Sequence, residues 1–406
     1  MPALVRTDDV RRQNTRSIIQ VLRRHGCVSR TEIVEYTGLS PATVSTITST
    51  LITDGLLLSR SELGKSQETV SRRGRPRVTL SLNPEIGCIV VIVLSINKLT
   101  AWLQDYSGQV LAKANDHFES RSATADDFEH YLLRIVTRLM RQQAGSPIPL
   151  RYISLGVQGV VDAGGQIMLW SPMTTLLNLP LGEMLHKAFN VPVWVANDCN
   201  MAAEALHWQD SQRFGDDFAA ILLGSGIGMG LVLKGRRFIG RQSSAAEFGH
   251  MVHAMEEGAL CRCGQYGCVE AYVGDYAIWR RVSGLPETSP PVSEIDPVAM
   301  IDLARRAHEN EGVEREAYRE AGRALGKALR SLFALIDPIT IAFIGGGVRA
   351  FDLMEPEIRN ALRHNGNMLE ASDVTLYCYE DSQALIHLGC AMTTLQTLDR
   401  TLGIGE

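Results

Sequence analysis

At Pro84 the pattern of the chain changes, and that change constrains the fold more than any other feature. Directly after it, "IGCIVVIVLSI" (86–96) is an unbroken apolar run, as a strand covered on both faces should be. "LTAWLQDYSGQVLAKA" (99–114) reads as two more strands around a Ser-Gly turn, and helical spacing covers residues 125–143. "YISLGV" (152–157) leads into a glycine-rich stretch, and "VPVWVANDCNMAAEALHW" (191–208) passes from strand to helix. "AAILLGSGIGMGLVLKG" (219–235) is strand, glycine turn, strand, and "PITIAFIGGGV" (338–348) is strand then glycine turn. Strands alternating with helices predict an α/β protein. Glycines at strand ends lie where open α/β sheets bind ligands.

Before Pro84 the period is helical. "VRRQNTRSIIQVLRRHG" (10–26) is an amphipathic helix with Ile18, Ile19, Val21 and Leu22 on its apolar face, ended by Gly26. Ser29 followed by Glu32 is a capping box that opens a second helix, which Gly38 closes. Ser40 and Pro41 supply the N-cap and first residue of a third helix. Its apolar face is Val44, Ile47, Leu51 and Ile52, whereas Thr43, Ser45, Thr46 and Ser49 fall elsewhere. Two short helices joined by a glycine turn predict a helix-turn-helix, whose second helix can offer hydroxyls to phosphates and base edges. Residues 55–84 carry two β-like runs around a polar loop, the pattern of a wing.

Charge agrees with that placement. Residues 1–80 hold 13 Lys/Arg against 7 Asp/Glu; the remainder holds 27 against 38. A basic head on an acidic body points to a polyanionic partner. Within the wing, "RRGRPR" sets Arg72, Arg73, Arg75 and Arg77 around a glycine and a proline. Such a thin, extended segment can enter a minor groove. It can equally serve as a basic linker, and its position after a helix-turn-helix favours DNA.

The 406 residues exceed one ordinary core. We read residues 1–83 as a winged helix-turn-helix DNA-binding domain and 84–406 as a ligand-binding domain. No stretch of about 18 apolar residues runs unbroken, so membrane insertion is not expected. The first residues are charged, with no apolar core for a secretory leader, and a cytoplasmic location is expected.

Five of the eight cysteines (Cys27, Cys88, Cys199, Cys378 and Cys390) are isolated and read as small core residues. The other three cluster in "CRCGQYGC" (261–268). Thiolates at such spacing bind metal, and a closed structural zinc site needs a fourth ligand. His250, eleven positions before Cys261, supplies it; His253 is an alternative. Glu247 and His250 share a face of one helical turn, and Glu270 lies two past Cys268. Asn197 and Asp198 follow a buried-looking strand, where they can meet a hydroxyl-rich ligand; Asp198 and Asn200 also suit a helix start. "GSGIGMG" (224–230) can cradle phosphate, but a tight hairpin explains it as well.

Together these pieces resemble the ROK family (repressors, open reading frames, sugar kinases). "CRCGQYGCVE" fits the family's C-x-C-G-x-x-G-C-x-E pattern, "EFGH" its E-x-G-H, and "ND" and "PITIAFIGGGV" fall in family order. The resemblance implies a two-lobed actin-like/ribonuclease-H-like fold behind the winged head. It implies sugar contacts from Asn197, Asp198, Glu247, His250 and Glu270, and one structural zinc on His250, Cys261, Cys263 and Cys268. ROK kinases carry D-x-G-G-T in the first strand-turn. Here that stretch is Val93, Leu94, Ser95, Ile96, Asn97, with neither Asp nor Gly. Phosphoryl transfer is therefore not expected, and Asp198 marks the vestigial base position.

The expected function is a sugar-responsive transcriptional regulator, a repressor of carbohydrate uptake or catabolism genes. Its expected partners are a double-stranded DNA operator, a sugar or sugar-phosphate effector, and a second copy or three in a homodimer or tetramer. Two alternatives stand beside it: a sugar kinase with an atypical nucleotide loop, and a repressor controlled by a sugar-transport protein.

Overall fold

The computed structural model describes residues 7–61, 78–143, 147–241, 243–292, 295–363 and 374–404. The head comprises α1 (Thr7–His25), β1 (Val28–Ser29), α2 (Arg30–Thr37), α3 (Pro41–Thr53), β2 (Leu57–Ser61) and β3 (Val78–Leu82). Ser29 and Glu32 form the reciprocal capping box, and Gly38 ends α2 at φ 67°, a left-handed conformation that glycine adopts without a Cβ penalty. Ser40 Oγ accepts from the Thr43 amide to start α3. β2 and β3 pair antiparallel as the wing, and β1 extends that sheet in the order β1-β3-β2. Ile18, Ile33, Val44 and Leu51 close the core between the helices. Thr48 joins them, fully buried, because its hydroxyl accepts from Arg30 Nε at 2.9 Å and donates to the Val44 carbonyl at 2.8 Å.

The body has two lobes, each built on a five-stranded sheet. The first holds β4 (Cys88–Ser95), β5 (Lys98–Asp105), β6 (Val110–His117), α4 (Ala125–Arg141) and β7 (Leu150–Val157). The short ribbon β8 (Val160–Val161) and β9 (Met168–Trp170), then α5 (Leu181–Phe189) and β10 (Val193–Asn197), complete it. Its strand order is β10-β7-β4-β5-β6. β4 is buried along seven of its eight residues, as its unbroken apolar run requires.

α6 (Asp198–Gln209) then crosses to β11 (Phe218–Leu223), β12 (Ile227–Leu233) and β13 (Arg236–Arg237). The second lobe continues through α7 (Glu270–Val273), α8 (Asp275–Val282), α9 (Pro297–Glu309), α10 (Val313–Ile336), β14 (Thr340–Ile344), α11 (Phe351–Leu362) and β15 (Leu376–Tyr379). Its strand order is β13-β12-β11-β14-β15. The final helix α12 (Ser382–Thr401) leaves β15 and packs back on β4, β7 and α6. Two helices, α6 and α12, thus lie where the lobes meet. Among the described residues no helix is long and apolar enough to cross a membrane.

Two expectations need correction. Cys27 and Cys378 are exposed, not core residues. The cap at the start of α6 is Asn197, whose Oδ1 accepts from the Asn200 amide at 3.0 Å; neither Asp198 nor Asn200 plays that part. Arg72, Arg73, Arg75 and Arg77 lie outside the described residues.

Candidate functional site

A cleft of about 480 Å³ opens between the lobes. Asn197, Asp198, Glu247, His250 and Glu270 all line it. The fold brings them from three places. Asn197 and Asp198 stand at the β10-α6 junction, where a parallel strand delivers them to the sheet's carboxyl edge. Glu247 precedes and His250 ends a single 3-10 turn, Phe248–His250. Glu270 opens α7.

Each group is held differently. Asn197 Nδ2 donates to the Gly159 carbonyl at 2.9 Å while its Oδ1 caps α6, so its side chain is largely committed to the fold. Asp198 Oδ1 accepts from the Cys199 amide at 2.8 Å. Burial pushes the Asp198 carboxyl up to about 6, against the opposing pull of its bonds to Cys199, and the nearby Glu247 charge adds to the rise. Glu270 is buried; its Oε2 accepts from the Ile227 amide at 3.0 Å and its Oε1 from Tyr276 OH at 3.3 Å. Burial and the Glu270 charge also raise the Glu247 carboxyl, although His250 works the other way.

The hairpin β11-β12 accounts for "GSGIGMG". Leu223 pairs with Ile227, and the glycines serve close packing. A Cβ on Gly228 would lie 2.4 Å from Cys199 Sγ, and one on Gly230 2.3 Å from the Cys199 carbonyl oxygen. They let α6 approach the second sheet, which a larger residue would forbid.

Beside the cleft, His250, Cys261, Cys263 and Cys268 place their ligand atoms within 4.8 Å of one another. His250 Nδ1 lies 3.8 Å from Cys261 Sγ, and Cys263 Sγ the same distance from Cys268 Sγ. A tetrahedron with Zn–S arms of ~2.3 Å has edges of ~3.8 Å, so the donor set fits a metal ion. His253 is not in the group; its ring packs on Tyr272 at 4.6 Å. His250 turns Nε2 the other way, 3.8 Å from Glu247 Oε2. The Cys261 thiol also lies 3.6 Å from Glu270 Oε1, which ties the metal corner to the cleft.

Sequence reasoning missed several cleft residues. Trp170 sets its ring edge-on to His250 at 6.2 Å. Arg349 pairs with half-buried Asp275 at 3.2 Å. Arg262 reaches the Ser225 carbonyl at 3.2 Å. Only Arg262 carried a signal, since it sits between two metal-ligand candidates. At the first hairpin, Val93, Ser95 and Ile96 line the cleft, whereas Asn97 turns its side chain to Ser120, accepting from its amide at 3.0 Å.

On the head, Ser40, Ser45, Thr46 and Ser49 are exposed along α3. Thr43 is half-buried, its hydroxyl 2.8 Å from that of Ser40.

The ROK family model matches residues 92–386. The chain belongs to the ROK family. It is 28% identical to the DNA-binding transcriptional dual regulator NagC of Escherichia coli over 357 residues, covering 87% of this chain and 86% of NagC. It is 23% identical to the xylose repressor of Caldicellulosiruptor bescii over 383 residues, covering 92% and 93%. A solved ROK family transcriptional regulator, a homolog of the E. coli MLC protein, superposes with a TM-score of 0.71 at 24% identity over 96% of this ROK chain and 99% of that one. A ROK glucokinase from Streptomyces griseus, solved with glucose and AMPPNP, superposes at 0.60 with 22% identity over 75% of this chain and 99% of its own. The two-lobed ROK fold is thus shared with regulators and kinases, and the likeness to the regulator extends over nearly the whole chain.

Proposed function

We propose that this ROK protein is a sugar-responsive, DNA-binding transcriptional regulator, a repressor of carbohydrate genes. The observation that carries the reading is one molecule with a helix-turn-helix head and a cleft between two lobes lined by Asp198, Glu247, His250 and Glu270. Three carboxylates and a histidine offer many fixed partners to hydroxyls. Asn197 works mainly by fixing the mouth of α6 beside Asp198. Residues 1–83 form the DNA-binding unit and 84–406 the sugar-binding, metal-holding and self-associating unit. Ser40, Thr43, Ser45, Thr46 and Ser49 face the operator from α3, and Arg72, Arg73, Arg75 and Arg77 add phosphate or minor-groove contacts.

Zinc on His250, Cys261, Cys263 and Cys268 supplies structure, since four protein ligands leave no open position. His250 keeps its second ring nitrogen for Glu247 or a sugar oxygen, so the corner orients part of the cleft. Against phosphoryl transfer stands the first hairpin. Ile96 presents a β-branched side chain to the cleft at the stretch where the kinases carry glycines. The protein acts in the cytoplasm as a homodimer, or a tetramer, on a two-fold operator.

Thermal-shift screening against N-acetylglucosamine, its 6-phosphate, D-xylose and D-glucose, with an ATP-turnover assay alongside, tests this. One sugar should raise the melting temperature, because it binds only the folded state, and ATP should not turn over. Steady turnover with any of them restores the kinase alternative.

A further inference from the structure

Two helices connect the cleft to the head. Asp198 and Cys199 of α6, and Ser382, Gln383 and Ile386 of α12, line the cleft. α6 carries the chain from the last strand of the first lobe to the first strand of the second. α12 returns from the second lobe to pack on β4 and β7 of the first. Any change in the angle between the lobes therefore has to be taken up around this pair. The pair itself is tight: a Cβ on Gly389 of α12 would lie 1.8 Å from the Met201 carbonyl oxygen of α6. Backbones packed so closely that no Cβ fits between them do not slide freely past one another, so the two move together.

Their far ends meet α1. Asp399 lies seventeen residues beyond Ser382 on α12, about 26 Å at a helical rise of 1.5 Å per residue. Arg23 of α1 donates to Asp399 through both terminal nitrogens, Nη1 to Oδ2 at 2.6 Å and Nη2 to Oδ1 at 3.0 Å. Tyr106, in the β5-β6 turn, donates its hydroxyl to Asp399 Oδ1 at 2.7 Å. The Arg23 side chain is 2% exposed and that of Asp399 9%. Next door, Arg24 donates to the carbonyl of Trp208, near the end of α6, and its guanidinium lies 5.3 Å from that indole's centroid. One apolar cluster runs from Ile18 and Leu22 of α1 to Leu206 of α6 and Leu395 and Leu398 of α12. The head is thus gripped on the ends of the same two helices whose beginnings form the cleft.

We propose that Arg23, Tyr106 and Asp399 form a coupling clamp, through which the α6-α12 pair sets the pose of the DNA-binding head and passes to it any change of lobe angle made in the cleft. A bidentate guanidinium-carboxylate pair fixes direction as well as distance, as a flexible linker cannot. The clamp touches neither DNA nor sugar; the three are positioning residues. A sugar moves the head only if it binds one lobe angle better than another, and the coupling is reciprocal: operator DNA then changes sugar affinity by the same factor. What the clamp transmits rests on the functional reading above, whereas its mechanical part does not.

The test uses the full chain with Tyr106→Phe, which keeps the ring, and Asp399→Asn, which keeps the shape. Without any sugar, amide exchange along residues 18–25 should rise about tenfold or more in Asp399→Asn, and less in Tyr106→Phe, while residues 250–270 stay unchanged. With whichever of the four sugars named above raises the wild-type melting temperature, wild-type operator affinity should change about tenfold or more, and that of Asp399→Asn under about threefold. Both variants should keep the sugar's melting shift, a separation that a merely structural role would not produce. If no sugar raises the wild-type melting temperature, the functional reading fails, and exchange along α1 alone decides the clamp. Unchanged exchange in both variants, or a full sugar response in Asp399→Asn, overturns it.

Discussion

Two corners of this ROK protein hold pieces of chain together by different chemistry. The metal corner gathers four soft donors within nineteen residues, and Cys263 and His250 there remain partly open to solvent. The junction of head and body joins Arg23 to Asp399, 376 positions apart, in a site closed to water. The first is a donor set that a metal ion would complete, and the second is a charge pair that must stay complete. Chelators should therefore disturb the cleft corner and spare the junction, and a single charge deletion should do the reverse.

The largest effect expected is at the junction. Asp399→Ala strands the Arg23 guanidinium in a buried site, which typically costs ~3–5 kcal/mol. Denaturant melts should show that loss, with the metal content unchanged. A loss under ~1 kcal/mol would mean the site is wetter than its burial indicates. In the metal corner, Cys263→Ser removes a ligand and should weaken metal binding by ~100-fold or more. Metal analysis should find about one zinc per wild-type chain and clearly less in the variant. Full occupancy in Cys263→Ser would break the assignment.

Asp198 gives a smaller effect with a defined pH course. Burial raises its folded-state pKa to about 6 from an ordinary 3.8, so the charged form is disfavoured in the folded protein. Its contribution to stability is full below about 3.8 and lost as pH rises through about 6. Asp198→Asn escapes that loss. It should be more stable than wild type at pH 8, by at most ~3 kcal/mol, with the gain shrinking towards pH 4. A pH-independent difference in melting would contradict the buried carboxyl. The smallest effect is on the head. Ser45→Ala or Thr46→Ala should each cost about 1 kcal/mol of operator binding, roughly a fivefold rise in Kd. Ser122→Ala, on the exposed surface of the first lobe, should change nothing.

The same comparison explains what could be seen from sequence. The His/Cys donor cluster was legible because its residues are close in the chain, at a spacing that suits a closed metal site. The helices of the head were legible through their caps, Ser29 with Glu32 and Ser40 with Pro41, which act over three or four residues. The junction left no mark. Arg23 reads as one of several arginines on α1, and Asp399 as an ordinary residue near a helix end; only packing makes them partners. Thr48 reads as one more hydroxyl of α3 until Arg30 and Val44 satisfy it inside the core. Likewise Arg349 and Asp275 meet only because α8 and the turn after β14 converge on the cleft. Asn197 lines the cleft, but its capping duty depends on where β10 stops, and a one-residue shift would have given that duty to Asp198.

The central claim is that a cleft ligand controls a DNA-binding head. Fluorescence anisotropy of the full chain, with a duplex from its own upstream region and a scrambled duplex, tests it most directly when repeated with each of the four sugars. The account predicts preference for the upstream duplex and a change of about tenfold or more in its Kd with one sugar. Equal binding to both duplexes, unmoved by any of the sugars, would contradict it.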